Sequence, residues 1–320
     1  VARRPHLLLV VGVGRSGTSA FTGSVAALGY AVPQPEVRTD PTNPRGFSEP
    51  RWVVDFHKAL LRARGVDNFD SRPYAWQLSA RAARSEENRE LLAEWLAGEL
   101  AQHRRVVVKD PRTMWLLGLW RRVSEDVGAD VSVVTMLRPP AEVVASARHW
   151  YAGDHFETSR LAGWINVQLR TEKMTRDIKR TFVHYERLLG DGVKVLNEVD
   201  RALDLGLDLD DQEGLARVNS FLDPGLRRAR DSIEQLEATP AVLSIADRVW
   251  AALVAIADRD TPTARSTLDK LRAEYRRLYL DAEQLVRRSV MVGMTETEAL
   301  RRRKTQQAPS TDEPADAHSA

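Results

Sequence analysis

The stretch Leu7-Leu8-Leu9-Val10-Val11-Gly12-Val13-Gly14-Arg15-Ser16-Gly17-Thr18-Ser19 decides the fold of this 320-residue chain. Five consecutive apolar residues with no polar one among them make a strand covered on both faces, the pattern of a parallel sheet. A glycine-rich turn follows, and Thr18 to Leu28 has helical spacing that closes at Gly29. Strand, turn and helix in that order form an anion site. Glycines let the backbone approach a charged group, which is met by free N–H groups and the helix N-terminus.

Outward from this unit the same alternation recurs. Pro33 to Pro50 is rich in Pro, Gly and Asn and reads as an irregular loop. Val53 to Leu61 and Asn88 to Ala101 read as helices. Val106-Val107-Val108 is a second buried strand that stops at Lys109-Asp110-Pro111, and Met114 to Val127 is again helical. Val131 to Leu137 is a third strand, ending at Arg138-Pro139-Pro140 with a helix from about Ala141. Thr181 to Tyr185 is a shorter fourth strand. The alternation predicts an α/β fold, a P-loop-like three-layer sandwich with a central parallel sheet and an additional C-terminal helical region. From about Asp200 only helices are expected. Leu268, Leu271, Tyr275, Leu278, Ala282 and Leu285 repeat at alternating three and four residues, a heptad-like stripe. Arg301-Arg302-Arg303-Lys304 reads as a solvated helix end, and the Pro/Ser/Asp/Ala-rich tail to Ala320 as disordered.

Composition excludes several classes. Lys+Arg 47 against Asp+Glu 45 gives a net charge of +2, so no global basic field points to nucleic acid. The absence of cysteine rules out disulfides, thiolate metal sites, iron–sulfur clusters and a cysteine nucleophile. No uninterrupted apolar run approaches the ~20 residues of a membrane span, so no transmembrane segment is expected. Arg3 and Arg4 ahead of Leu7 to Val13 superficially copy a signal peptide. The run is short and Gly-broken, however, and Arg15 stands where a small-residue cleavage site belongs, so the expectation is a buried strand in a cytoplasmic protein.

Three ligand classes use a turn of this kind. Gly12, Gly14 and Gly17 satisfy the dinucleotide pattern of an NAD(P)-binding oxidoreductase. That fold also needs a second strand ending in an acidic residue about 20 positions on, and Pro33 and Pro35 interrupt the segment where it belongs. Gly12 and Gly17 have the separation of a nucleotide-triphosphate loop, as in a kinase or NTPase, but Thr18 stands where the phosphate-clamping Lys belongs. A third donor, with only a 5′-phosphosulfate, carries less charge than ATP and is held without a metal, with Arg15 supplying positive charge at the transferring group.

At this point the sequence resembles the family of sulfotransferases that use 3′-phosphoadenosine 5′-phosphosulfate (PAPS). The loop Val13-Gly14-Arg15-Ser16-Gly17-Thr18-Ser19 is similar to that family's phosphosulfate loop, with Arg where many members have Lys. Met136-Leu137-Arg138-Pro139-Pro140-Ala141-Glu142-Val143-Val144-Ala145-Ser146 reproduces its 3′-phosphate site, a strand-end Arg with a Ser eight residues on in the next helix. The physics agrees: Arg138 leaves the C-terminal end of a parallel strand, where α/β sheets bind ligands, and offers a fork to a phosphate. Lys109-Asp110-Pro111-Arg112 and Tyr185-Glu186-Arg187-Leu188-Leu189 resemble strand ends of bacterial members. The resemblance covers roughly residues 7 to 230 and reaches Phe221-Leu222-Asp223-Pro224. It implies a sulfotransferase domain over 1–230, a helical extension over 231–303 packing on it, and a disordered tail over 304–320.

The resemblance implies PAPS as co-substrate, PAP as product and no metal. Gly14, Arg15, Ser16, Gly17, Thr18, Ser19, Arg138, Ser146 and Tyr185 would hold the nucleotide, with Arg15 and Lys109 near the transferring sulfuryl. Chemistry by in-line displacement needs a general base for the acceptor hydroxyl. Cytosolic members use a His just after the Lys of the second strand, and this chain has Asp110 there. Asn43-Pro44-Arg45-Gly46-Phe47-Ser48-Glu49 resembles a segment of bacterial members, and it makes Glu49 the expected base, ahead of His57 and Asp110. His149 reads as a surface residue. The acceptor is expected to be a carbohydrate-bearing, lipid-linked or natural-product hydroxyl, for which Trp52, Trp76, Trp115, Trp120, Trp150 and Trp164 offer stacking surfaces. The C-terminal helices are expected to pack on the sheet, with an acceptor lid or a homodimer seam as the alternatives.

Overall fold

The structure, a computed structural model, describes residues 4–40, 43, 46–150, 157–222, 225 and 231–306, with the side chains of 149–150 and 297–306 excepted. Four strands, β1 (His6–Val11), β2 (Arg105–Lys109), β3 (Asp130–Leu137) and β4 (Lys179–His184), form one all-parallel sheet in the order β2-β1-β3-β4. β1 pairs with β2 from His6 opposite Arg105, and with β3 from His6 opposite Asp130. Its apolar run is therefore central, and Leu7 to Val10 are fully buried. β4 lies at the edge and is only half covered.

Among the described residues the chain also forms twelve α-helices: α1 (Thr18–Ala27), α2 (Arg51–Arg62), α3 (Ala75–Ala83), α4 (Glu86–Gln102), α5 (Leu117–Asp126), α6 (Pro140–Trp150), α7 (Glu157–Met174), α8 (Tyr185–Gly190), α9 (Gly192–Leu203), α10 (Gln212–Phe221), α11 (Pro240–Asp258) and α12 (Pro262–Gln306). Because side chains alternate along a strand, Leu8, Val10, Val107, Val134, Met136 and Val183 share one face, where they pack with Phe21 and Val25 of α1 and with α8, α9 and α10. Leu7, Leu9, Val106, Val108 and Val133 supply the other face, on which α4 meets β2 and α5 meets β3. This is the expected three-layer α/β arrangement.

Three local expectations change. Met114 to Val127 is not one helix: a 3-10 turn over Thr113–Trp115 precedes α5, because Asp110 O accepts from Thr113 N and Leu116 leaves helical geometry at φ −120°. α3 has no counterpart in the sequence reading; it is short, and its buried residues Ala75, Ser79, Ala82 and Ala83 are all small. Tyr185 opens α8 rather than closing the fourth strand.

Residues through Tyr275 make one compact unit, and Arg276 onward is a second. In the first, α11 packs on α7 and β4. By length and composition α11 is the one described helix that could cross a bilayer, although Asp247 and Arg248 interrupt its apolar run. Its buried residues Val242, Ile245, Ala246, Val249, Leu253 and Ile256 recur at helical spacing, and Arg248 bonds Glu274. Buried Glu172 of α7 fixes the first turns of α12 and the start of β4. It accepts from Arg176 at 2.7 Å and Arg180 at 3.2 Å, and Arg272 lies 3.4 Å away. In the second unit the described residues are helical. Of the tail expected to be disordered over 304–320, residues 304–306 continue α12 instead; 307–320, the side chains of Arg301 to Lys304, Asp223 and Pro224, and the side chains of His149 and Trp150 lie outside the described residues.

Candidate functional site

The turn between β1 and α1 has three residues at positive φ: Gly12 at 147°, Arg15 at 74° and Gly17 at 89°. For Arg15 this is the left-handed region that a side chain disfavours, an outlier of the kind found at ligand sites. Ser16 closes the turn, with both its N–H (3.1 Å) and its hydroxyl (2.6 Å) donating to Val13 O. The hydroxyl expected to bind nucleotide thus braces the loop from inside, where Ser16 is fully buried. A Cβ on Gly17 would lie 2.1 Å from Cδ2 of Tyr185, so the Tyr185 ring sits directly against the turn. No side chain caps α1 and no acidic residue lies in its first turn, which leaves its positive end for an outside anion.

Two clusters of charged side chains flank this turn. At the end of β3, Arg138 donates from Nη1 to Arg15 O at 2.8 Å and from Nε to Glu142 Oε2 at 2.9 Å, and its guanidinium lies 4.9 Å from the Tyr185 ring centroid. Pro140 opens α6, with the missing N–H that a first helical residue does not need. Eight residues after Arg138, Ser146 Oγ accepts from Arg15 Nε at 3.1 Å. Arg15, Arg138, Ser146, Gly17 and Tyr185 therefore come together as one group. The Arg15 side chain points to this cluster, whereas the sequence reading placed it at the transferring group beside Lys109.

At the end of β2, Lys109 Nζ donates to Glu49 Oε1 at 2.6 Å, to Ser19 Oγ at 3.1 Å and to Phe47 O at 3.2 Å. Lys109 is 3% and Glu49 8% exposed, so this pair is held out of bulk water. Asn43 donates to the same Ser19 hydroxyl at 3.3 Å. Glu49 is placed by a backbone bond from Val37 N to its carbonyl and by the start of α2 two residues later. Pro44 and Arg45 of the same segment lie outside the described residues.

The other two base candidates are enclosed. His57 and Asp110 are both 0% exposed. His57 Nε2 accepts from Trp120 Nε1 at 3.0 Å, which makes Nδ1 the protonated nitrogen that donates to Asp110 Oδ2 at 2.8 Å. Asp110 Oδ1 accepts from Arg112 N at 3.1 Å and from Arg112 Nη1 at 2.7 Å. Burial pushes the Asp110 carboxyl up, but the hydrogen bonds from His57 and Arg112 and the charge of Arg112 outweigh it and hold the pKa below the ordinary value. The one lone pair of neutral His57 is taken by Trp120, and both groups are fully buried, which disfavours the expected base role of His57. Together they lock the turn after Lys109.

The tryptophans divide. Trp115, Trp120 and Trp164 are buried. Trp52 stacks between Phe56 and Trp95, and Trp76 lies under Arg170 at 4.2 Å.

One residue absent from the sequence reading enters the site. The half-exposed ring of Phe69 lies 3.5 Å from where a Cβ of Gly14 would be. Its loop is fixed from several sides: Trp115 Nε1 donates to Asn68 O at 3.2 Å, and Asn166 Nδ2 to Asp70 O at 2.7 Å and Arg72 O at 2.9 Å. The signal available in sequence is a lone aromatic inside the turn-forming run Asp67-Asn68-Phe69-Asp70-Ser71.

No protein-family model matches the chain, and no curated protein matches it in sequence. Among solved structures it is similar to the sulfotransferase domain from the curacin biosynthetic pathway, at 13% identity over 79% of this chain and 99% of that one, with a TM-score of 0.47. It is similar to sulfotransferase STF1 from Mycobacterium tuberculosis H37Rv at 16% identity, over 78% and 77% of the two chains, with a TM-score of 0.41. The sulfotransferase domain of the Synechococcus PCC 7002 olefin synthase matches at 16% identity over 86% and 96%, with a TM-score of 0.42. At these identities the activity of this chain has to be argued from its own residues.

Proposed function

We propose that the chain is a sulfotransferase that moves a sulfuryl group from PAPS to an acceptor hydroxyl. The observation that carries this reading is the convergence on one short turn of Arg138 and Ser146 from one side and Lys109 and Glu49 from the other. A bisphosphorylated nucleotide needs two anion sites, and a transferase needs a base beside the second. In this reading the 3′-phosphate is taken by Arg15, Arg138 and Ser146, where Arg15 and Ser146 now bond to each other. The 5′-phosphosulfate lies on the turn at the uncapped start of α1, with Tyr185 against the nucleotide.

Transfer is an in-line displacement. A bond forms between the acceptor oxygen and sulfur, the bond from sulfur to the bridging phosphate oxygen breaks, and PAP leaves with that electron pair. Glu49 takes the hydroxyl proton. Its neutralisation releases Lys109 from a 2.6 Å partner toward the charge growing on the leaving phosphate. Phe69, on its fixed loop, gives the acceptor an apolar wall, consistent with a carbohydrate-bearing, lipid-linked or natural-product hydroxyl. The test is a transfer assay with PAPS labelled in the sulfuryl group against a panel of such hydroxyl acceptors. Labelled product with equimolar PAP is the expected result; phosphoryl transfer from ATP–magnesium in its place would overturn the reading.

A further inference from the structure

The heptad-like stripe of α12 changes environment part-way along. Leu268, Leu271 and Tyr275 are buried in the first unit. Past Tyr275, Leu285, Val286, Val290, Met291, Val292 and Met294 are between 51% and 75% exposed, and among the described residues Leu91, at 46%, is the one other exposed large hydrophobic. At 100° per residue these six spread around the helix rather than along one face; an isolated helix is marginal in water, and so dense an exposed apolar segment on one calls for a partner.

The charges choose the partner. Along the second unit they run in blocks: Arg276 and Arg277 positive, Asp281 and Glu283 negative, Arg287 and Arg288 positive, the apolar Val290 to Met294, Glu296 and Glu298 negative, then Arg301 to Lys304 positive. About Val292 this order is antisymmetric. Reversing the helix on itself brings Asp281 and Glu283 to the height of Arg301 to Arg303, and Arg287 and Arg288 to the height of Glu296 and Glu298. An in-register parallel pair would instead put every block level with its own sign. At a rise of ~1.5 Å per residue neighbouring blocks are about a Debye length apart, ~8 Å in physiological salt, so the height match sets the interaction. A bilayer is a poor occupant: the apolar segment from Leu285 to Met294 reaches ~15 Å against a hydrocarbon core of ~30 Å, and Arg287 and Arg288 interrupt it.

We propose that α12 beyond Tyr275 pairs antiparallel with the same segment of a second copy, about a two-fold axis at Val292, so that the protein is a homodimer. Leu285 of one copy then stands level with Ala299 of the other, and Val292 meets Val292.

The chain has no cysteine, so introduced thiols report position without background. Only juxtaposed cysteines can bridge, because a disulfide needs Cα atoms within ~7 Å. The experiment is light scattering on the full-length protein at tens of micromolar, with mild oxidation of Val292→Cys, Leu285→Cys and the double variant Leu285→Cys/Ala299→Cys. Expected are twice the monomer mass, cross-linking of Val292→Cys and of the double variant, and none for Leu285→Cys alone. A monomer mass overturns the proposal. So does self-linking of Leu285→Cys, the signature of a parallel pair, or a monomer that sediments with phosphatidylcholine–phosphatidylglycerol vesicles.

Discussion

Arg138 Nη1 donates to the backbone carbonyl of Arg15 at 2.8 Å, a bond between residues 123 positions apart that ties the end of β3 to the turn after β1. Arg15 holds a left-handed φ of 74°, and its own side chain reaches on to Ser146. One arginine therefore shapes the loop while the other links it to α6. The turn is shaped by the chain's own long-range contacts.

Arg138→Ala should cost both stability and binding. It breaks the 2.9 Å ion pair with Glu142, buried beside it, and breaking a buried pair costs about 3–5 kcal/mol. Adding Glu142→Gln should return most of that stability without returning affinity for adenosine 3′,5′-bisphosphate. Denaturant titration and ligand titration of both variants separate the two effects. Affinity recovered in the double variant would show that Arg138 acts only as a structural partner.

Gly17→Ala should damage the site through Tyr185. The new methyl would lie 2.1 Å from the ring, on a backbone at φ 89°, and strain plus overpacking together cost roughly 2–4 kcal/mol. Tyr185→Ala in the same chain should relieve the overpacking part. Thermal melting of the single and double variants checks this, and equal losses in both would mean that the ring does not press on the turn.

Glu49 and His57 should respond differently to amide substitution. Glu49→Gln keeps the shape but cannot take a proton, and turnover should fall by about 10²–10⁴ with bisphosphate binding retained. In His57→Gln the amide can still donate to Asp110 and accept from Trp120, so turnover should stay within roughly tenfold and its pH profile should not move. A collapse of turnover in His57→Gln at unchanged stability would hand the base role to His57.

Acid should weaken the fold partly through His184, at the end of β4. Burial, aided by the charge of Arg187 and opposed by Asp258 and Glu186, sets its pKa below the ordinary 6.5, and the imidazole meets the Trp250 ring edge-on at 5.7 Å. The fold favours the neutral ring. Its contribution is therefore complete above the unfolded value of 6.5 and is lost as pH falls through the lower folded value. His184→Gln should flatten the stability–pH curve in that window, as measured by denaturant midpoints from pH 7.5 downward. An unchanged slope would assign the acid sensitivity elsewhere.

What was legible in the sequence follows from contact range. The β1 run, the glycine turn and the Arg138-to-Ser146 spacing are local patterns, each set by residues within one strand–turn–helix unit, and the structure assembles them as spaced. Lys109 and Glu49 were each marked by a neighbouring motif, although no local pattern says that they face each other. Phe69 could not be seen in this way. Its place against Gly14 depends on Asn166, 96 residues beyond Asp70, and on Trp115, 47 beyond Asn68. His57 misled for the same reason. A histidine on a helix looks available until Trp120, 63 residues away, takes its second nitrogen.

The central claim is that the turn between β1 and α1, with Arg138 and Ser146, binds a 3′,5′-bisphosphorylated adenosine nucleotide. Calorimetric titration of the full-length protein with adenosine 3′,5′-bisphosphate in EDTA tests it most directly. One site per chain is predicted, with affinity unchanged by magnesium and at least tenfold weaker in Arg138→Ala. No heat with the bisphosphate, alongside saturable binding of ATP–magnesium or NAD, would contradict the account.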